Sequence, residues 1–486
     1  MTTWNVKVAR TVCLGAASYL VLAAVSGAAL AQTSTGSQPS SAPGNTTTLS
    51  PVIVQSNTAR PARKRTAQSA TRARSQNTAN ANRGRGAGQD QAAAGSGQRS
   101  AETARGHVDG YVANRSATGT KTDTPLIETP AAISVITQDQ IQAQAAQSVP
   151  QAVRYTSGVR GEQTGADARF NSIAIRGFTA DQYLDGMKLF TSGFSASIVE
   201  PFNLERIEVL HGPASILYGQ GSPGGVIDMV SKRPTVDPYH EVFVSTGSYG
   251  RVQGGVDVSG PIDQKKEWLY RLTASGFDVG TQVDHTSYQR VSIAPSLTWR
   301  PDNDTTITFL GTYQNDPKAG FYNLLPRTGV LFPYGNGSRI PTNFYNGEPN
   351  VDRMNRELGQ VGYLAEHRFN NVWTVRQNLR YTDLSSDITT VYYTGATTTP
   401  TIPRSAFFEG DRLKTLQIDN QAEGKFYTGP FQHTLLFGVD YQNGSFGTTA
   451  GGPTSAVPPQ NVFNPQYGLS LPMVPTSKSF QDFNQV

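Results

Sequence analysis

From Pro234 to the end of the chain, apolar and polar residues alternate along run after run, a period of two that admits strands and excludes amphipathic helices. In the run RVSIAPSLTWR, Val291, Ile293, Pro295, Leu297 and Trp299 share one face, with Ser292, Ala294, Ser296, Thr298 and Arg300 on the other. TTITFLGTY places Ile307, Phe309 and Tyr313 together. NVWTVRQNLRYT sets Trp373, Val375, Leu379 and Tyr381 against Thr374, Arg376, Asn378, Arg380 and Thr382, and HTLLFGVDY aligns Leu435, Phe437, Val439 and Tyr441. A soluble sandwich uses the same alternation and buries its apolar face. A transmembrane barrel shows that face to lipid and turns its polar face into the lumen. Long Arg, Asn and Thr faces and aromatic residues near strand ends favour the barrel. A mean hydropathy of −0.39 does not oppose it, because alternation dilutes the apolar signal.

Residues 1–31 read as an export signal, with basic Lys7 and Arg10, an apolar stretch, and a small-x-small end at Ala29-Leu30-Ala31. The only cysteine, Cys13, lies inside that leader, so the mature chain offers neither a disulfide nor a cysteine metal site. Residues 32–106 are too poor in large apolar side chains to bury a core and are expected to be disordered. Ten Arg and Lys against Asp90 and Glu102 make 57–106 a basic tether, while the net charge of the whole chain is only +5. The folded part thus carries no reason to bind nucleic acid. One β-branched cluster interrupts the tail: Leu49, Ser50, Pro51, Val52, Ile53, Val54 and Gln55 form a peptide suited to adding a strand to an open sheet edge.

Residues 107–236 read as a small mixed α/β unit. AAISVITQDQI is a strand entering a helix, SVPQAVRYTSGV a short helix ending at Gly158, and NSIAIRGF and QYLDGMKLF are strands. PFNLERIEVLHGP is a helical turn leading into a strand, and GVIDMVSK closes the unit as a last strand. Within it Gly219, Gly221 and Gly224 have the G-x-G-x-x-G spacing of a dinucleotide loop. Such a loop needs a helix after its last glycine, whereas Pro223 lies inside this one and the following VIDMVSK reads as strand. The glycines are better read as backbone conformations closed to other residues. The six histidines are scattered singly and none has a metal-ligand neighbour at useful spacing; no catalytic constellation is present, and the chain reads as a non-enzyme.

The ordered motifs SATGTKTDTPLIETPAAISVIT, AVRYTSGV, IAIRGF, YLDGMKL, LERIEVLHGPASILYGQGSPGGVIDMVSKRP, IAPSLTWRPDNDTTITFL, GFYNLLPRTG and VRQNLRY make the chain resemble the TonB-dependent outer-membrane receptors. Within them it resembles the hydroxamate-siderophore branch typified by the ferrichrome receptor. The resemblance implies a transmembrane β-barrel, twenty-two-stranded in the family, with a mixed α/β plug at 107–236 in its lumen. The barrel begins at 237, and about half of it lies within 237–486. Residues 49–55 become the TonB box, reached through the tether. No folded signalling domain precedes the plug, because residues 57–106 are too polar to form one.

The resemblance also implies a ferric siderophore as ligand, recognised at Phe194, Tyr322, Tyr392 and the neighbouring Tyr393. Two positions depart from the ferrichrome receptor: Leu324 replaces a tryptophan and Thr164 an arginine. Arg160 or Arg169 would supply the missing donor, and a siderophore other than ferrichrome follows. Arg176, with His211 where a second arginine is usual, would lock plug to barrel. No cofactor is implied, since iron arrives already chelated. The implied partners are TonB with ExbB and ExbD, outer-membrane lipid and lipopolysaccharide. A TonB-dependent receptor for haem, cobalamin or a glycan is the alternative, with a passive porin or adhesin behind it.

Overall fold

The computed structural model describes residues 102–163, 165 and 167–486; the export signal, the 49–55 peptide, most of the tether and Thr164 lie outside the described residues. The inner unit is built on a five-stranded mixed sheet. In chain order its strands are β1 (Ala132–Thr137), β2 (Asp181–Leu184), β3 (Met187–Lys188), β4 (Leu204–His211) and β5 (Gly225–Ser231). Spatially they run β1-β4-β5-β2-β3. All neighbours are antiparallel except β5 and β2, which are parallel. The Thr137 side chain caps helix α1 (Gln138–Ala143) by accepting from the Gln140 N–H. Ser148 caps α2 (Val149–Ala152) in the same way, with a proline in the first turn. Both helices lay apolar residues on the sheet: Ile141, Val149 and Val153 join Ile136, Ile207, Val209, Ile227 and Met229 in one buried cluster.

QYLDGMKLF differs from its expected single strand. It is a hairpin, because Asp185 and Gly186 both take positive φ, 52° and 78°, the two-residue turn that Asp-Gly favours. IAIRGF folds back likewise at Arg176 and Gly177, with φ 52° and 89°. The glycine-rich stretch is a turn between β4 and β5, and a strand follows it, as expected. Gly224 and Gly225 are sterically required there: an added Cβ would stand 2.4 Å from the Ile175 carbonyl oxygen and 2.0 Å from that of Leu210, and Gly225 has φ +135°. Alanine at Gly225 is expected to cost about 3 kcal/mol through overpacking and backbone strain, read as a lower melting temperature of the purified protein in detergent.

Around this unit runs a ten-stranded antiparallel meander in which each strand pairs with the next along the chain. Its strands are β6 (Tyr239–Gly247), β7 (Arg251–Pro261), β8 (Trp268–Gly280), β9 (Ser287–Trp299), β10 (Thr305–Lys318), β11 (Arg353–Arg368), β12 (Trp373–Tyr393), β13 (Arg404–Thr428), β14 (Phe431–Pro453) and β15 (Met473–Gln485). Burial decides between sandwich and barrel. In β9 Val291 and Ile293 are exposed while Arg290, Ser292 and Thr298 are buried; in β14 Leu435, Phe437, Val439 and Tyr441 are exposed. The polar face is inside, packed on the plug, and the apolar face points away. That inversion belongs to a transmembrane barrel.

The two ends of the strands differ. Residues 262–267, 300–304, 369–372 and 429–430 make short turns at one end, where Trp268 and Trp299 stack with ring centroids 5.8 Å apart. The opposite end carries long connections, chiefly 319–352, 394–403 and 454–472. Short turns mark the periplasmic end of such barrels and long loops the external end. Tyr334, Ile340, Phe344, Ile402 and Val462 form a buried apolar cluster that knits the three long loops together.

Candidate ligand-binding mouth and plug contacts

At the long-loop end, five aromatic rings and one guanidinium meet. Phe170 and Phe194 come from the plug, Tyr322 from just after β10, Tyr392 from the end of β12 and Phe407 from the start of β13. Ring centroids are 5.7 Å apart for Phe170–Phe194, 5.8 Å for Phe194–Phe407, 6.1 Å for Tyr322–Phe407 and 5.5 Å for Tyr392–Phe407. Each ring is only half-buried, so together they form a bowl whose faces remain available. The Arg169 guanidinium lies 3.9 Å from the Tyr322 centroid. Gly320 permits this approach, since a Cβ there would meet the Arg169 side chain at 2.4 Å. Asp167 holds the guanidinium in a two-pronged grip at 2.9 and 2.8 Å, Arg356 of the wall donates to the Arg169 carbonyl at 2.7 Å, and Arg169 Nη1 is left without a partner. Phe194 is pinned from the barrel side by its own N–H, which donates to Asp411 at 2.7 Å. Such an arrangement offers ring surface to a bulky ligand, with the Arg169 cation held against Tyr322 beside it.

Of the residues singled out in the sequence, Phe194, Tyr322, Tyr392 and Arg169 are brought together here. Tyr393 packs instead against the loop cluster. Arg160 is exposed on the two-residue strand Val159–Arg160 and makes none of these contacts. Leu324 is half-exposed, and its carbonyl accepts from the Asn346 side chain. Phe170 and Phe407 escaped sequence reasoning. Their motifs carried no distinguishing signal, and only the register that sets Phe407 opposite Thr390 aims it inward.

Arg176 stands exposed in its turn, and no ion pair joins it to a carboxylate among the described residues. His211 contacts Ser134, Oγ to Nε2 at 3.3 Å; burial, and secondarily the Arg176 charge, holds its pKa below the usual value, so the ring is neutral at pH 7. Among the described residues, other charges tie plug to wall. Arg290 of β9 reaches plug Glu200 at 3.2 Å and wall Asp316 at 2.8 Å, all three buried. Arg271 of β8 reaches plug Glu205 at 3.3 Å and wall Asp257 at 2.7 Å, and plug Lys232 joins Asp257 at 2.8 Å. Arg380 of β12 reaches Asp185, in the plug's Asp-Gly turn, at 3.2 Å.

Glu205 also receives His107, 2.5 Å from Nδ1. That hydrogen bond, opposed in part by burial, raises the imidazole pKa above its usual value. A raised histidine pKa contributes stability that is complete below about pH 6.5 and disappears as pH rises through the raised value. Amide protection around His107 is therefore expected to fall between pH 6 and alkaline pH in hydrogen exchange, and His107→Gln to flatten that dependence.

Comparison with known proteins agrees with this architecture. Residues 125–226 match the TonB-dependent Receptor Plug Domain and residues 295–483 the TonB dependent receptor-like beta-barrel. The chain belongs to the TonB-dependent receptors. Its sequence is 37% identical over 388 residues to the ferrichrome outer membrane transporter/phage receptor of Escherichia coli K12, covering 75% of this chain and 52% of that protein. It is 39% identical over 355 residues to the ferrioxamine B receptor of Salmonella typhimurium SL1344, covering 72% and 50%. The chain thus spans about half the length of the curated relatives it matches. Among solved structures, the pyoverdine outer membrane receptor of Pseudomonas aeruginosa PAO1 superposes with a TM-score of 0.68 at 20% identity, covering 77% of this chain and 56% of that one. At that identity the likeness concerns fold.

Proposed function

We propose that the protein takes up a ferric siderophore of the hydroxamate class across the outer membrane, driven by TonB with ExbB and ExbD. The observation that carries this reading is the half-buried aromatic bowl at the external end, directly over the plug, with the Arg169 guanidinium packed on Tyr322. A hydroxamate siderophore fills the iron's coordination positions with its own oxygens, so its receptor needs ring faces and donors and no protein ligand to the metal. The two relatives that match at 37% and 39% identity, by their names, handle ferrichrome and ferrioxamine B, which favours this class. Outer-membrane lipid and lipopolysaccharide would surround the apolar outer face.

The test is accumulation of radioactive iron by cells producing the protein, offered a panel of pure hydroxamate, catecholate and carboxylate siderophores. Uptake from at least one hydroxamate other than ferrichrome is expected; uptake confined to the other classes would overturn the assignment. Tyr322→Ala and Phe407→Ala should each weaken binding of the accepted siderophore by about 1.5 kcal/mol, roughly tenfold in Kd, measured by fluorescence quenching.

A further inference from the structure

Phe194 stands between Phe170 and Phe407 in the bowl, yet the plug itself gives it little support. With Gly193 it makes the turn between two strands of two residues each, Thr191–Ser192 and Ser195–Ala196, which pair only with one another. A hairpin standing alone is marginal in water even when longer than this. The position of the ring is therefore set from outside the hairpin.

Three wall strands reach in to set it. Asp411 of β13 accepts the Phe194 N–H at 2.7 Å, Ser386 of β12 meets the Ser195 hydroxyl at 3.4 Å, and Gln314 of β10 donates to the Ile198 carbonyl at 3.0 Å. Asp411 differs from the other two in being a carboxylate, 3% exposed, whose remaining partners are the Thr448 hydroxyl at 2.7 Å and the Glu409 carboxyl. None of these is a cation, and a buried carboxylate without a counter-charge costs free energy. What the charge adds is strength in the bond to Phe194, because an ionised acceptor makes a hydrogen bond roughly twice as strong as a neutral one. Gly193 allows the close approach: its φ is 54°, and a Cβ there would collide with Asp411 Oδ2 and Glu409 Oε1. Register completes the arrangement. Phe407, Glu409 and Asp411 alternate inward on β13, opposite Thr390, Ile388 and Ser386 of β12, so one wall strand supplies both a ring of the bowl and the acceptor that fixes the ring facing it.

We propose that Asp411 is a positioning residue for siderophore recognition, acting from the wall through the plug's Phe194. The proposal rests on the reading of the bowl as a siderophore site. Plug retention has other means, since Arg271, Arg290 and Arg380 already join the wall to plug carboxylates.

A double-mutant cycle on the full chain in membranes tests it, read as equilibrium binding of ferric ferrioxamine B, or of the panel siderophore the parent binds if it does not bind that one. Asp411→Ala should weaken binding about tenfold, as loss of a bowl ring would. In the Phe194→Ala background the same change should add less than about twofold, because the ring that Asp411 positions is gone. Asp411→Asn, which keeps an acceptor for the Phe194 N–H and turns a donor toward the Thr448 hydroxyl, should bind with intermediate strength. Gly193→Ala leaves Asp411 in place and pushes the turn away from it; it should repeat both the loss and its dependence on Phe194, and it decides the matter should Asp411→Ala fail to fold. Parent-like binding by Asp411→Ala or Gly193→Ala, an equal loss with and without the Phe194 ring, or no recovery in Asp411→Asn would overturn the proposal. A parent that binds only a siderophore of another class overturns the hydroxamate reading alone, and the cycle on that siderophore then decides Asp411; a parent that binds none overturns both.

Discussion

Arg290→Leu should loosen the plug in the barrel by about 3 to 5 kcal/mol. Arg290 is the shared cation of two buried carboxylates, Glu200 of the plug and Asp316 of the wall. Removing the cation strips buried Glu200 of its counter-charge and leaves Asp316 with Arg356 alone, 3.4 Å away, and the penalty for a buried charge without its partner lies in that range. The effect should appear as a lower melting temperature and as sensitivity of the cells to large antibiotics that an intact plug excludes. Adding Glu200→Gln to Arg290→Leu should recover much of the loss, because the orphaned charge goes with the cation while Asp316 keeps Arg356. Arg412→Leu is the control: its pair with Asp383 is solvent-exposed, 61% and 30%, and should matter by well under about 1 kcal/mol.

Deleting Leu49–Gln55 should leave siderophore binding unchanged and reduce iron uptake to background, on the order of a hundredfold. The peptide is an isolated strand former in a polar tail, suited to pair along a partner's sheet edge, where backbone hydrogen bonds supply the affinity. The sequence sets about 50 residues between it and the plug, enough chain to let it meet a partner apart from the barrel. Ile53→Pro should have nearly the same effect as the deletion, because proline removes a backbone donor from the middle of the added strand. Uptake that survives both changes, with binding intact, would indicate diffusion.

How much of this was legible in the sequence follows from the range of the interactions. Strand alternation is local, and the faces read from Val291, Ile293, Leu435 and Phe437 are those the barrel turns outward. The capped helices and the strand after the glycine turn are local too. The Asp185-Gly186 hairpin is local as well: the turn preference of Asp-Gly divides QYLDGMKLF, expected as a single strand, into two.

The charge network was not legible at all. Glu205 and Arg271 lie 66 residues apart, Glu200 and Arg290 lie 90 apart, and Asp185 and Arg380 lie 195 apart. Nothing in a single sequence pairs one lumen-facing arginine rather than another with a given plug carboxylate. The mouth stands between these extremes. Family motifs located Phe194, Tyr322 and Tyr392, but Phe170 and Phe407 join them only through the register of β12 on β13 and the fold of the plug's external loops. Tyr393, one residue from Tyr392, faces the loop cluster because neighbouring strand residues point to opposite sides.

The decisive experiment is to measure ferric hydroxamate binding and radioactive iron uptake on the same cells, with the parent and with Tyr322→Ala/Phe407→Ala. If the aromatic bowl is the receptor site, the double variant should bind at least tenfold more weakly, the two rings being in contact and their effects not additive, and its uptake should fall in parallel at siderophore concentrations below the new Kd. Undiminished affinity in the double variant, or no hydroxamate binding by the parent, would contradict it.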